Sequence, residues 1–206
     1  MSIEIACISP HPPILLPSVG KEKEKMKVKE TIRSLKKLEE MLTKSKAEEI
    51  IISSPHPDWG FNVPLFFIAK KFKGKIKKYL IGTKEPYFYF EQGREIAKEM
   101  KNKKCALIAS GDLSHRLKED GPYGFHSQGP KFDKALISYL KKKEIEKIKK
   151  LDEEFPEAGE CGLRSICFLL GILENSEIEW QPEILSYQKP FGVGYLVTNF
   201  KITCIH

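Results

Sequence analysis

Three of the five histidines in this sequence each follow an apolar run. His11 comes after IEIACISP, His56 after EEIIISSP, and His115 after CALIASGDLS. Apolar runs rich in β-branched residues predict strands, and open α/β sheets bind their ligands at the carboxyl edge of the strands. Histidine is the commonest metal ligand and the usual general base near neutral pH. The pattern therefore indicates a metal site or an acid–base site at one edge of a sheet.

The first two of these histidines share the motif Ser-Pro-His-Pro directly after a predicted strand. The prolines around His11 fix the backbone and remove amide donors, which suits a rigidly aimed side chain. We expect the two strands to be parallel neighbours. Because each is followed by the same Ser-Pro-His-Pro motif, His11 and His56 should then lie close enough to share one ion. Zinc and ferrous iron both accept two histidines, and an anionic third ligand completes a common arrangement.

The third ligand is expected to be a carboxylate or a thiolate from the segment AGECG, which supplies Glu160 and Cys161. These residues precede a predicted helix, so two structural interpretations stay open beside the ligand role. A carboxylate at that place is stabilised by the helix dipole, and a cysteine can act as a small buried hydrophobe.

His115 lies in SGDLSH, three residues after Asp112, which could orient it. A histidine near a metal but not bound to it is typical of a general acid or base. The alternative is a loop histidine whose hydrogen bonds are satisfied structurally. His126, in the same long segment, is a weaker candidate.

The elements that must position these residues follow from the hydrophobic pattern. It predicts strands over residues 3–8, 50–53, 76–81, 106–109, 183–188 and 194–204. It predicts helical structure over residues 22–45, 91–100, 131–152 and 162–173, and leaves 63–72 open between helix and strand. A long loop is expected over residues 110–130. The β-α-β-α order predicts an α/β fold with helices on both faces of a mainly parallel sheet.

The composition narrows the protein class. The chain has 206 residues, 41% of them hydrophobic, so we expect one domain over residues 1–206. Its net charge of +7 comes mostly from lysines mixed with acidic residues in helical stretches, which argues against a nucleic-acid partner. Five cysteines without disulfide spacing, and no secretion signal, predict a cytoplasmic protein. We expect no membrane association, because the apolar runs are too short to cross a bilayer.

Several segments together resemble a known family: SPHPPILLP, the later SPH, SGDLSHRLKEDGPYGF, AGECGLRS and PFGVGY. They are similar to the class III extradiol dioxygenases, the LigB-like superfamily that also contains the Memo proteins. The likeness is greatest to LigB-like proteins of the AmmeMemoRadiSam type and spans nearly the whole chain. The resemblance implies a three-layer αβα sandwich around the sheet and a mononuclear non-haem Fe(II) site.

The same resemblance assigns roles residue by residue. It carries the metal histidines onto His11 and His56 and the acid–base histidine onto His115. The register of AGECG puts Cys161, rather than Glu160, at the position of the third ligand. Memo proteins also have a cysteine there.

Two departures from the family pattern bear on the chemistry. Family members have a longer segment after the second histidine, ending in a DHG-like motif; here PDWGFNVPL follows, and Trp59 stands where that histidine would be. A partner subunit or a second copy of the chain could supply the missing part of the pocket wall. The second departure is the thiolate, which favours zinc or copper(I) more than a carboxylate does.

The sequence therefore predicts an Fe(II)-dependent extradiol-type dioxygenase that acts on a small catechol-like aromatic diol. Fe(II) is the favoured cofactor, with zinc and copper as the other candidates. One alternative is a Memo-like metal-binding or interaction protein without ring-cleaving activity. A further interpretation is a zinc hydrolase that uses His115 as its base.

Overall fold

The computed structural model describes residues 2–100, 103–176 and 178–204. These residues form one sheet of six strands in the order β3-β2-β4-β1-β6-β5. The strands are β1 (Ser2–Ser9), β2 (Glu49–Ser54), β3 (Lys75–Leu80), β4 (Lys104–Ser110), β5 (Ile178–Gln188) and β6 (Tyr195–Cys204). Strands β1 to β4 run parallel, whereas β6 pairs antiparallel with both β1 and β5. The expectation of a mainly parallel sheet is confirmed.

Helices cover both faces of this sheet. They are α1 (Glu22–Lys27), α2 (Lys29–Lys44), α3 (Trp59–Ile68), α4 (Pro86–Glu99), α5 (Gln128–Lys142), α6 (Ile145–Ile148), α7 (Leu151–Glu154) and α8 (Leu163–Glu174). Among these helices, none is long and apolar enough to cross a membrane.

Two apolar clusters form the core, one on each face of the sheet. Successive side chains of a strand point to opposite faces, and in β1 Cys7 packs in one cluster while Ala6 and Ile8 pack in the other. Helices α2 and α3 contribute to the first cluster, and α4 to α8 contribute to the second. The three-layer αβα sandwich is therefore confirmed.

The helix expected over residues 22–45 is interrupted at Val28, which is fully buried. The side-chain amide of Gln188, from the end of β5, bonds to both sides of the interruption. Its oxygen accepts from the Thr31 N–H at 2.8 Å, and its nitrogen donates to the Lys27 carbonyl at 3.1 Å. A residue far along the chain thus satisfies backbone groups that a continuous helix would have paired internally.

The helical pattern over residues 131–152 corresponds to three helices, α5, α6 and α7, rather than one. Helix α5 ends at Lys142, and it is capped by Lys143, whose φ of 56° is left-handed and whose N–H still bonds to the Leu140 carbonyl. The ambiguous segment 63–72 is a helix, α3, and it begins earlier than the pattern showed, at Trp59.

The strands that precede the three histidines end at the same edge of the sheet, as parallel strands must. One expectation needs correction: β1 and β2 are not neighbours, because β4 lies between them and pairs with both. The loops that carry His11 and His56 therefore meet across the carboxyl end of β4, where Ser110 is the last residue of the strand.

Candidate metal centre

His11 is held at the carboxyl end of β1 and is 2% exposed. Its backbone N–H donates to the Asp112 carboxylate at 3.0 Å, and its ring Nδ1 lies 2.9 Å from the Ser110 hydroxyl oxygen. The Ser110 O–H donates to the Gly60 carbonyl, so the Ser110 oxygen accepts the proton of Nδ1. This arrangement leaves the lone pair on His11 Nε2, which faces the Cys161 sulfur at 3.4 Å.

His56 comes from the loop after β2, and its ring lies edge-on to the His11 ring with the two centroids 5.1 Å apart. Its backbone N–H donates to the Ser54 hydroxyl at 3.1 Å, which fixes the start of the loop. A glycine is required at position 60, because a Cβ there would collide with the Ser54 hydroxyl and touch the His56 Cβ. The ring of Trp59, next to that glycine, packs over His56 with a centroid distance of 5.1 Å.

Cys161 joins the two histidines from the turn before α8. One potential ligand atom from each of His11, His56 and Cys161 lies within 4.8 Å of the others. The Asp112 N–H donates to the Cys161 sulfur at 3.3 Å. Glycines allow this approach: a Cβ on Gly111 would collide with the Gly162 backbone, so the loop after β4 and the turn before α8 are in direct contact.

The Glu160 carboxylate forms its hydrogen bonds with α8 rather than with the two histidines. It accepts from the Leu163 N–H at 2.6 Å, in the first turn of α8, and from the Arg164 guanidinium at 3.4 Å. Among the described residues, the clusters with metal-ligand spacing contain Cys161 and not Glu160. The geometry thus matches the helix-terminus interpretation for Glu160 and leaves Cys161 as the donor beside the histidines.

His115 lies beside this cluster. Its Nε2 is buried and has no hydrogen-bond partner among the residues that the structure describes. Asp112, His115 and Cys161 also have potential ligand atoms within 4.8 Å of one another. The ring of Tyr123 packs on His115 with centroids 5.0 Å apart. Asp112 was expected to orient His115, but its carboxylate bonds to the His11 backbone instead.

The protonation states of these groups follow from their burial. Desolvation, with contributions from His56 and His115, lowers the pKa of His11 to about 3. Desolvation also lowers the pKa of His56, and it lowers the pKa of His115 to about 4 with help from His56. All three imidazoles are therefore neutral near pH 7, which is the form that ligates metals or accepts a proton.

The acidic groups shift in the opposite direction. Burial raises the pKa of Asp112 to about 7 against the opposing hydrogen bond from the His11 N–H. Burial raises the pKa of Glu160 to about 7 as well, and it raises the pKa of the Cys161 thiol well above its ordinary value. A buried thiolate at this place needs a compensating cation.

The donor set fits a divalent metal ion. Metal–sulfur and metal–nitrogen bonds of ordinary length place sulfur and nitrogen ligands of a tetrahedral site about 3.5 Å apart, and the His11 Nε2 to Cys161 Sγ distance is 3.4 Å. Both histidines are neutral, and a bound cation would stabilise the thiolate. Imidazole and thiolate donors together suit zinc, copper and iron.

The cluster opens into a cavity of about 670 Å³, within the range of small-molecule sites. His11, His56, His115 and Cys161 line its base, and aromatic side chains including Trp59 and Tyr123 form much of the remaining wall. The cavity thus combines one group of convergent donors with surfaces suited to a planar apolar ligand.

Sequence reasoning did not identify Ser110, Tyr123 or Tyr195 as site residues. Ser110 stands at the end of the central strand, so its position at the carboxyl edge is a usable signal. Tyr123 lies in a loop without periodicity, and Tyr195 begins β6 at 2% exposure. Both line the cavity, and only the fold reveals that.

The sequence is similar to a known protein family and to a longer protein from Clostridium acetobutylicum. A family model described as the catalytic LigB subunit of aromatic ring-opening dioxygenase matches residues 56–198. Protein CA_C1420 of Clostridium acetobutylicum is 43% identical over 148 residues, which are 70% of this chain and 31% of that protein. The chain therefore spans less than a third of this relative.

A solved structure shares the fold. It is that of uncharacterized protein JW3007 from Escherichia coli K12, which covers 95% of this chain and 99% of its own with a TM-score of 0.62. The two sequences are 13% identical, so the likeness concerns the fold alone.

Proposed function

Because this chain belongs to the family of the catalytic LigB subunit of aromatic ring-opening dioxygenase, we propose that it is a non-haem Fe(II)-dependent extradiol-type dioxygenase acting on a catechol-like diol. The observation that carries the proposal is the Nε2 of His115, which is buried beside the His11–His56–Cys161 cluster and has no hydrogen-bond partner in the described part of the chain. A buried imidazole nitrogen without a partner is costly unless a ligand completes it.

Three residues of the chain would hold the metal: His11, His56 and Cys161. Fe(II), when bound, would supply coordination that orients the diol and activates dioxygen. The hydrogen bond from His11 Nδ1 to Ser110 keeps the other nitrogen of His11 directed at the cluster. Asp112 holds the His11 backbone and also donates its own N–H to Cys161.

The proton chemistry falls to His115. Its ring is neutral, and its free Nε2 can accept a proton from a diol hydroxyl and later return it to the opened product. Tyr123 packs on the His115 ring and Trp59 packs on the His56 ring, and both aromatic side chains line the cavity. A planar aromatic ligand can stack on such side chains.

The test is turnover of catechols by protein loaded anaerobically with Fe(II) and then exposed to oxygen. We expect a yellow ring-opened product from the wild type. His115→Ala should lower the rate at least about a hundredfold, the usual contribution of a general acid–base group, without loss of bound iron. His126→Ala is the matched control, since His126 lies in the same loop and bonds to the Gln128 N–H. No product from a panel of catechols, with iron demonstrably bound, would contradict the proposal.

A second candidate function rests on Cys161. A thiol donor is softer than a carboxylate and favours zinc or copper(I), which supports a metal-binding or interaction protein that turns over no diol. In that case the three donors bind metal and the His115→Ala variant has no activity to lose. Metal analysis together with the catechol panel separates the two candidates.

A further inference from the structure

We propose that the cavity selects its ligand by charge: it takes an aromatic diol whose side chain is cationic or uncharged and excludes aromatic carboxylates. This inference rests on the proposed function for the diol end of the ligand. It concerns the part of the ligand that extends from the metal cluster into the rest of the cavity.

The charged side chains of the cavity wall are acidic, whereas the whole chain has an excess of basic residues. The chain has 35 lysines and arginines against 28 acidic residues. Within the described residues, the wall has two acidic side chains, Glu24 and Asp112, and neither lysine nor arginine. With the metal already coordinated by the diol, a side-chain carboxylate of the ligand would find no lysine or arginine of this wall to pair with, and burying an unpaired charge is unfavourable.

The two acidic residues have different positions and neighbours. Asp112 is held at the metal cluster by its bond to His11. Glu24 comes from α1, is half-buried, and uses one carboxylate oxygen to accept the Lys21 N–H at 2.8 Å. Its second oxygen has no partner among the bonds of the described residues, so it can pair with a cationic group on a ligand.

The aromatic walls act in the same direction. Trp59 is 43% exposed and Tyr123 is 59% exposed, although both line the cavity. The faces of aromatic rings attract cations and repel anions. The cavity, at about 670 Å³, is larger than one aromatic ring requires, so a side chain on the diol has room beside these faces.

Lys27 lies close to the wall without belonging to it. The Lys27 ammonium is 5.6 Å from the centre of the Phe191 ring, and Phe191 lines the cavity. If Lys27 turned towards the ligand, it would favour a carboxylate and reverse the selectivity. The two arrangements therefore predict opposite orders of affinity.

The experiment measures binding rather than turnover. Protein loaded with Zn(II), which does not react with oxygen, is titrated calorimetrically under argon with dopamine, 4-ethylcatechol and 3,4-dihydroxyphenylacetate. These probes share one diol ring and differ in side-chain charge. We expect dopamine to bind about threefold more tightly than 4-ethylcatechol, as a partly exposed ion pair would give. The carboxylate should bind about tenfold more weakly than 4-ethylcatechol.

Two variants on one helix sharpen the test. Glu24→Gln should reduce the preference for dopamine over 4-ethylcatechol by weakening dopamine binding, since only dopamine carries the charge that Glu24 would pair with. Glu22→Gln is the matched control, because Glu22 is exposed on α1, pairs with Lys25 at 2.9 Å and lies outside the cavity wall. Glu22→Gln should preserve the wild-type order.

Each remaining outcome has a defined meaning. Equal or tighter binding of the carboxylate overturns the proposal, as does an unchanged dopamine preference in Glu24→Gln. Absence of binding by all three probes overturns both the selectivity and the diol assignment. The expected order of affinities without ring-opened product under Fe(II) refutes the proposed dioxygenase activity alone. Efficient cleavage of the carboxylate supports the activity and refutes the selectivity.

Discussion

The hydroxyl of Ser110 determines which nitrogen of His11 faces Cys161 in the His11–His56–Cys161 cluster. It accepts from Nδ1 and donates to the Gly60 carbonyl, so it links the end of β4 to His11 and to the first turn of α3, which follows the His56 loop. A hydrogen bond to the second nitrogen of a ligating histidine fixes its tautomer and orientation. Ser110 thereby positions His11, although Ser110 is not one of the three candidate donors.

Removing that hydroxyl should weaken metal binding without unfolding the protein. We expect Ser110→Ala to lower the affinity for Zn(II) or Fe(II) by about ten- to a hundredfold, the usual effect of losing such a partner. Competition with a chromogenic chelator gives the affinity. Ser186→Ala is the control, since the Ser186 hydroxyl is buried and, within residues 2–100, 103–176 and 178–204, has no hydrogen-bond partner. Equal metal affinities for the two variants would show that Ser110 does not set the orientation of His11.

At the scale of elements, the loop after β4 is fastened to α5 and β5 through Asp133. This buried carboxylate accepts from the Ser114 N–H at 2.8 Å and from the Tyr187 hydroxyl. Gly194 leaves space for it, because a Cβ at that position would collide with the Asp133 carboxylate. The loop that carries Asp112 and His115 is therefore linked by hydrogen bonds to α5 and, through Asp133, to β5.

This fastening predicts a pH dependence of stability. Burial raises the pKa of Asp133 from 3.8 to about 6, against the opposing hydrogen bonds from Tyr187 and Ser114. The folded chain then holds a proton that the unfolded chain releases, so the contribution of Asp133 to the free energy of unfolding falls as pH rises from about 4 to about 6. An asparagine in place of Asp133 would stay uncharged at every pH. Its side-chain oxygen would accept from the Ser114 N–H, and its amide nitrogen would donate to the Tyr187 oxygen.

Asp133→Asn should therefore gain stability relative to the wild type as pH rises. Between pH 4 and pH 7 we expect the difference in unfolding free energy to move by about 2 kcal/mol in favour of the variant. Urea denaturation at each pH measures it. Asp120→Asn, at an exposed position in the same loop, should show no such trend. A difference for Asp133→Asn that is constant with pH would contradict the account.

Local patterns predicted the elements of the fold better than their interruptions. Runs of apolar residues located all six strands and most of the helices. The break at Val28 depends on Gln188, which lies far along the chain. The end of α5 depends on a left-handed lysine, a residue type that gives no sequence signal for that conformation.

At the scale of the whole molecule, the sequence predicted that the histidines and Cys161 lie close together. It did not predict the order of strands that brings them together. His11 and Cys161 are 150 residues apart in sequence, and their contact requires the sheet order that places β4 between β1 and β2. The residues alone left Glu160 and Cys161 both open, and the family resemblance favoured Cys161. The three-dimensional contacts add that Glu160 bonds to the first turn of α8, whereas the Cys161 sulfur lies beside His11. Because the donors come from separate loops, a bound ion would also stabilise the folded arrangement.

Metal content tests the central claim most directly. We would measure it by mass spectrometry on protein purified without oxygen or chelators, with His11→Ala, Cys161→Ala and, as the adjacent control, Glu160→Gln. The account predicts near-stoichiometric iron in the wild type and in Glu160→Gln, and its loss in the other two variants. Absence of metal from the wild type even after addition of Fe(II), or retention of iron by Cys161→Ala, would contradict it.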